Sequence, residues 1–264
     1  MGRQMGIFGH SRALRTLVLA CGIAGFAPAA ALAAGTLNSS DSSNLAETSA
    51  EPFGLFAAVL SDGGLRHKWL GVQRRLDDEM VQLALCEGDP NGCVSSAALQ
   101  FLAIVDAAKA REGRARLGEI NRAINLAIRP MGDQAQYGLV DVWASPLAAL
   151  ARGAGDCEDY AIAKFVALRR AGVSPDDLRI VIMRDTIRGE DHAVAAARLD
   201  GRWLTLDNRR MAMIEDANIR NYQPTFVIDH SGVRRYQEPP MPAFEARDLV
   251  SQAMPHSGIE TSPM

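Results

Sequence analysis

Gly153-Ala154-Gly155-Asp156-Cys157-Glu158-Asp159-Tyr160-Ala161-Ile162-Ala163-Lys164-Phe165-Val166-Ala167-Leu168-Arg169-Arg170-Ala171-Gly172 is the stretch at which the chain changes its periodicity. Tyr160 to Arg170 combines strong helix formers with an apolar stripe, and Gly172 supplies a C-terminal stop. Beyond it the pattern turns to β. Arg179-Ile180-Val181-Ile182-Met183 reads as a buried strand. His192 to Leu199 and Trp203 to Asp207 flank Asp200-Gly201, a strong two-residue hairpin signal. Tyr222 and Thr225-Phe226-Val227-Ile228 suggest one more strand. Upstream, Trp69, Val72, Leu76, Met80, Leu83 and Leu85 recur at helical spacing. So do Leu99, Leu102, Val105 and Ala108, and later Ile120, Ile124, Leu126 and Ile128. Helices first and antiparallel strands after them give an α+β domain.

The whole chain has 264 residues, a formal charge of −3 and 48% hydrophobic residues. That composition excludes collagen-like, coiled-coil and wholly disordered chains, and the absence of a basic excess argues against a general nucleic-acid binder. The ends differ from the middle. Arg3, Arg12 and Arg15 precede an apolar, small-residue run from Leu17 that closes on Ala31-Leu32-Ala33. This is the pattern of a cleaved secretory signal over residues 1–33. Gly22, Gly25, Pro28 and the shortness of the run argue against a retained membrane anchor. Val18-Leu19-Ala20-Cys21 is a poor lipoprotein site. A Ser-rich polar stretch then reads as a disordered tether over 34–60. Residues 61–237 form the expected domain, and 238–264, with Pro239, Pro240, Pro242, Pro255 and Pro263, read as a flexible tail. The expected protein is exported to the periplasm and mildly acidic.

An exported chain meets an oxidising compartment. Cys86 and Cys93 bracket the turn-rich Glu87-Gly88-Asp89-Pro90-Asn91-Gly92 and are placed to pair, the other reading being two free buried thiols. Cys157 is then the odd thiol. It follows a glycine-rich turn and opens a helix, where free N–H groups and the macrodipole favour a thiolate. The hairpin supplies a base. With a two-residue turn Leu199 pairs with Arg202 and Val194 with Asp207, so Asp207 lies diagonal to His192 on one face. A register slip of one residue would separate them. In register, Asp207 fixes the imidazole, His192 takes the thiol proton and Cys157 attacks a carbonyl. For one unaided histidine, a surface or core residue is the simpler reading. Asp156, Glu158 and Asp159 crowd the thiol with negative charge. They read either as helix caps or as oxygen ligands of a hard cation such as Ca²⁺.

Asp141-Val142-Trp143-Ala144-Ser145-Pro146, the Gly155-Asp156-Cys157-Glu158-Asp159-x-Ala161-Ile162-x-Lys164 block, His192-Ala193-Val194 and Leu206-Asp207-Asn208 follow in this order. Together they resemble the bacterial transglutaminase-like cysteine proteinases, of the periplasmic LapG type, over about residues 65–237. The Cys86/Cys93 pair and Asn121 resemble the family's N-terminal helices. The resemblance implies a papain-like, transglutaminase-like core with N-terminal helices packed on an antiparallel sheet. It implies a catalytic triad at Cys157, His192 and Asp207. It also implies calcium dependence, with ligands carried to Asp156 and Glu158 and, as the remaining acid, Asp159. The family's substrates are large cell-surface adhesins, cut near their N-terminal anchor so that a biofilm is released. A membrane receptor for cyclic-di-GMP sequesters the protease in that scheme. Val142 stands where the family usually has an aromatic residue. Two other classes of function compete: an acyl or glutamyl transferase with the same triad, and a non-enzymatic calcium-binding module with a structural Cys157.

Overall fold

The computed structural model describes residues 51–237. The segments expected to be a secretory signal (1–33), most of a tether (34–60) and a tail (238–264) lie outside the described residues. In chain order the elements are β1 (Ala57–Val59), α1 (Gly64–Gly88), α2 (Ser96–Lys109), α3 (Gly113–Ala127), β2 (Arg129–Pro130), α4 (Asp133–Tyr137), α5 (Pro146–Arg152), β3 (Ala154–Gly155) and α6 (Cys157–Arg170). The strands β4 (Leu178–Asp185), β5 (Glu190–Leu199), β6 (Arg202–Leu206), β7 (Ile214–Glu215), β8 (Tyr222–Asp229) and β9 (Gly232–Tyr236) follow. The expected α+β architecture is present: helices pack on an antiparallel sheet of order β1-β9-β8-β4-β5-β6-β7.

The centre of the fold is α6. Residues Asp159 to Leu168 are all buried, so this helix is enclosed on every side rather than amphipathic. It lies against β4 and β5, with α2, α3 and α5 closing around it. Ala193, Ala195 and Ala197 alternate along the inner face of β5, and their small side chains let the helix approach the sheet closely. Ala167, Leu168 and Ile162 fill the space between. The helix ends as its sequence indicates, with Gly172 at φ +91 and the N–H of Val173 reaching back to the carbonyl of Leu168 at 3.1 Å.

The outer face of the sheet carries a second apolar cluster that includes Val181, Met183, Val194, Trp203, Tyr222 and Tyr236. Phe53 and Leu55 pack against it. Both faces of β4 are therefore covered, and this explains its unbroken apolar run. Residues 51–60, read from sequence as the end of the tether, belong to the fold instead. β1 pairs with β9, from Ala57 opposite Tyr236 to Val59 opposite Arg234. Glu51 is buried and bonds Arg179 Nε at 2.5 Å and Arg234 Nη1 at 2.8 Å, with Asp229 completing the group on Arg234 at 2.6 Å. Each buried charge here is matched by a partner, so none stands uncompensated in the core, and nothing in the local composition announces the group.

Cys86 and Cys93 form a disulfide across the α1–α2 loop, with Cα atoms 4.8 Å apart. Ser95 caps α2 by accepting the Ala98 N–H at 3.2 Å. Leu85 and Leu126, counted from sequence in apolar stripes, are exposed. Pro224 interrupts β8, where the β4–β8 register shifts between Ile182 and Met183, an irregularity that accommodates a residue without an N–H. No helix among the described residues is long and apolar enough to cross a membrane.

Candidate active site

Cys157 is the first residue of α6 and the free thiol among the described residues. Two glycines aim it. Gly153 ends α5 in the left-handed region at φ +62. At Gly155 a Cβ would meet the Asp159 carboxylate at 2.7 Å, so only glycine admits this close packing. The turn between β5 and β6 has φ +51 at Asp200 and +77 at Gly201, the twisted two-residue geometry its sequence calls for. Leu199 pairs with Arg202 and Ala195 with Leu206, which is the expected register.

That register brings His192 and Asp207 together. His192 Nε2 lies 3.0 Å from Asp207 Oδ1, and both residues are buried. Tyr222 Oη donates to Asp207 Oδ2 at 2.7 Å, and the Arg209 N–H donates to Oδ1 at 3.0 Å. Burial alone would raise the Asp207 carboxyl. The hydrogen bond and charge of His192, helped by Arg209 and Tyr222, overcome it and hold the group well below the usual carboxylate range. A carboxylate on Nε2 makes that nitrogen the donor, which leaves Nδ1 as the acceptor. Nδ1 is buried and has no hydrogen-bond partner among the described residues. His192 and Cys157 line the same cavity of about 770 Å³, together with Trp143, Val140, Ile182 and Phe226.

The thiol itself departs from expectation. Cys157 Sγ donates to Glu158 Oε2 at 3.1 Å rather than to the imidazole. Its acidity is weakened by burial first, then by the charge and hydrogen bond of Glu158, against a smaller opposing effect of the Ala193 N–H. The helix-start dipole, expected to stabilise a thiolate, is outweighed by these terms in the protein alone.

One carboxylate oxygen from each of Asp133, Asp156 and Glu158 lies within 4.8 Å of the others. Asp156 is pushed up to about 9, by burial and then by the charge of Glu158. Asp156 Oδ1 and Asp133 Oδ1 are buried and without partners. Orphaned hard oxygens at this density fit a divalent cation such as Ca²⁺. Asp159, grouped with these acids from sequence, is turned elsewhere: its Oδ1 accepts the Ala144 N–H at 2.7 Å, and burial pushes it up to about 7. Asp133 escaped the sequence reading. The two-residue parallel ladder of β2 and β3, with Arg129 opposite Ala154 and Pro130 opposite Gly155, carries it to Asp156. The Asp141–Pro146 segment forms the neighbouring wall. Trp143 Nε1 donates to Asp141 Oδ1 at 2.9 Å, Lys68 pairs with Asp141, and Glu79 accepts from the Leu147 N–H at 3.1 Å.

The model of the bacterial transglutaminase-like cysteine proteinase family matches residues 79–230, and this chain belongs to that family. Among solved structures, Legionella pneumophila LapG is similar at 20% identity and a TM-score of 0.50, over 66% of this chain and 95% of that one. A calcium-bound form of that protein matches equally, over 66% and 98%. An EGTA-treated form matches at 22% identity and TM-score 0.50, over 59% and 84%. These likenesses bear on the fold. No curated protein matches the chain.

The lowered Asp207 group sets a pH dependence. Its folded value lies below the ordinary 3.8, so its contribution to stability is present above about pH 4 and is lost as the pH falls through the folded value. Urea unfolding between pH 2 and 6 should show the wild type losing stability on acidification by about 1–3 kcal/mol more than Asp207→Asn, the scale of hydrogen bonds to a charged group. Parallel losses in the two proteins would refute the assignment.

Proposed function

We propose that this protein is a calcium-dependent cysteine endopeptidase with Cys157 as nucleophile, His192 as base and Asp207 as the orienting acid. One observation carries the reading: Asp207 holds His192 Nε2 at 3.0 Å, leaving Nδ1 buried and without a hydrogen-bond partner, and His192 lines the same cavity as Cys157. In the forward reaction Nδ1 takes the Sγ proton as sulfur bonds to the substrate carbonyl carbon. The resulting oxyanion is met by the backbone N–H of Cys157, one of the free N–H groups at the start of α6. The imidazolium then protonates the leaving amine, the C–N bond breaks and a thioester remains. Water, deprotonated by His192, hydrolyses the thioester and restores the thiol. Asp207 stays ionised and stabilises the imidazolium throughout.

Asp133, Asp156 and Glu158 would hold the calcium ion. Bound there, it would supply positive charge beside the thiol, and Glu158 would be drawn to it from the hydrogen bond it accepts from Cys157 Sγ. Asp159 stands behind this group, tied to Ala144. The family resemblance supports a large cell-surface adhesin as substrate, cut near its N-terminal anchor with dispersal of the biofilm. It likewise supports sequestration by an inner-membrane cyclic-di-GMP receptor. The 1–33 segment supports export to the periplasm.

Cys157→Ala should abolish cleavage of an adhesin N-terminal fragment, by at least a thousandfold, with the fold intact by circular dichroism. Retained cleavage would end the thiol-protease reading. Incorporation of a labelled amine in place of hydrolysis would point to a transferase. In a second test, calorimetry of chelator-stripped protein should show calcium binding that weakens tenfold or more in Asp156→Asn and in Asp133→Asn. Absence of binding heat, with full cleavage in excess chelator, would leave these acids with no metal role.

A further inference from the structure

Lys164 is one of three lysines in a chain with twenty-five arginines, and it is fully buried. The other two, Lys68 and Lys109, are partly exposed and paired with Asp141 and Asp106. Lys164 lies on α6 about two turns beyond Cys157. Its Nζ donates to the carbonyl of Leu206 at 3.1 Å, the residue that immediately precedes Asp207. The Tyr160 ring centroid is 5.7 Å from Nζ. An ammonium carries three donors and a full charge, and one carbonyl does not offset burying it. A counter-ion has to be near, and the carboxylate at the end of β6 is the candidate.

We propose that Lys164 is a positioning residue for the triad acid: from the nucleophile's own helix it grips the strand end that carries Asp207 and supplies that carboxylate's buried counter-charge. The inference rests on the triad reading above and deepens it. It joins the element that presents Cys157 to the one that presents Asp207, so the two cannot drift independently. Burial drives the Lys164 ammonium down to about 7, and Asp207 opposes that fall. Tyr160 faces it from its own helix, and the Asp207 carboxylate it would serve is also met by His192 from β5, Tyr222 from β8 and the Arg209 N–H. From α3 the same loop receives two neutral amides and one cation: Asn125 donates to the carbonyls of Asp207 and Arg210, Asn121 to those of Arg210 and Met211, and Arg114 to that of Met213 at 3.1 Å. Lysine suits the place better than arginine, because a compact ammonium fits a closed core and a guanidinium fork demands several acceptors.

The test is lysine-selective NMR on the full chain, where three Cε resonances are expected. In the wild type the Lys164 resonance should titrate near 7, apart from the other two. In Asp207→Asn its midpoint should fall by at least half a pH unit, because the carboxylate that raises it is gone. A midpoint indifferent to Asp207→Asn overturns the proposal. As a second measurement, the hydrogen-bonded Nε2 proton of His192 should exchange with water at least tenfold faster in Lys164→Met than in the wild type. Unchanged protection in a folded Lys164→Met also overturns it. If Lys164→Met does not fold, the comparison of wild type with Asp207→Asn still decides. Neither signal depends on proteolysis. A wild type that cuts nothing would sink the protease reading while leaving these shifts in place, and absent shifts in a protein that cuts would sink only the role of Lys164.

Discussion

The pairing of Leu199 with Arg202 across Asp200-Gly201 is the constraint on which the site depends. A strand alternates its faces with a period of two, so a slip of one residue would turn Asp207 away from His192. The left-handed conformations at both turn positions hold that register, and Gly201 adopts its φ of +77 without strain. Everything on the sheet side of the cavity follows. The imidazole is presented from β5, the carboxylate from the end of β6, and Tyr222 and the Arg209 N–H each donate a further hydrogen bond to that carboxylate. The helix side is fixed by burial of α6, whose enclosed length leaves no freedom to rotate Cys157.

Charge is where this frame is least at ease. Three carboxylates, Asp133, Asp156 and Glu158, meet near one thiol, with Asp159 behind them. Burial and mutual repulsion push Asp156 up to about 9 and Asp159 up to about 7. The same forces weaken the thiol's acidity, and Sγ bonds Glu158 instead of the imidazole. A dipole of about half a charge at a helix start is too small to reverse this. A divalent cation among the acids would be large enough, so on the proposed reading the ion and the nucleophile share one electrostatic problem.

The parts of this arrangement legible in the sequence are those set by local chemistry. Helix α6, its Gly172 stop and the β5–β6 hairpin each follow from residues within a short window. His192 and Asp207 could therefore be placed on one face by counting alone. Asp133 could not, because a two-residue parallel ladder between distant segments carries it to Asp156, and so short a ladder leaves no periodic signal. Residues 51–60 read as tether because Ser-rich composition runs up to them. Their order comes from Glu51 meeting Arg179 and Arg234 across the chain. The state of the thiol is likewise invisible in the sequence, since burial and the Glu158 side chain that accepts from Sγ are properties of the fold.

The central claim is that His192 activates Cys157. Its most direct test is the rate of carboxymethylation of Cys157 by iodoacetate at pH 6–7 in calcium buffer, followed by peptide mass mapping, in wild type and His192→Gln. A rate at least tenfold lower in His192→Gln is expected, because the proton acceptor for the thiol is removed. Equal rates in two folded proteins would contradict the coupling of thiol and imidazole.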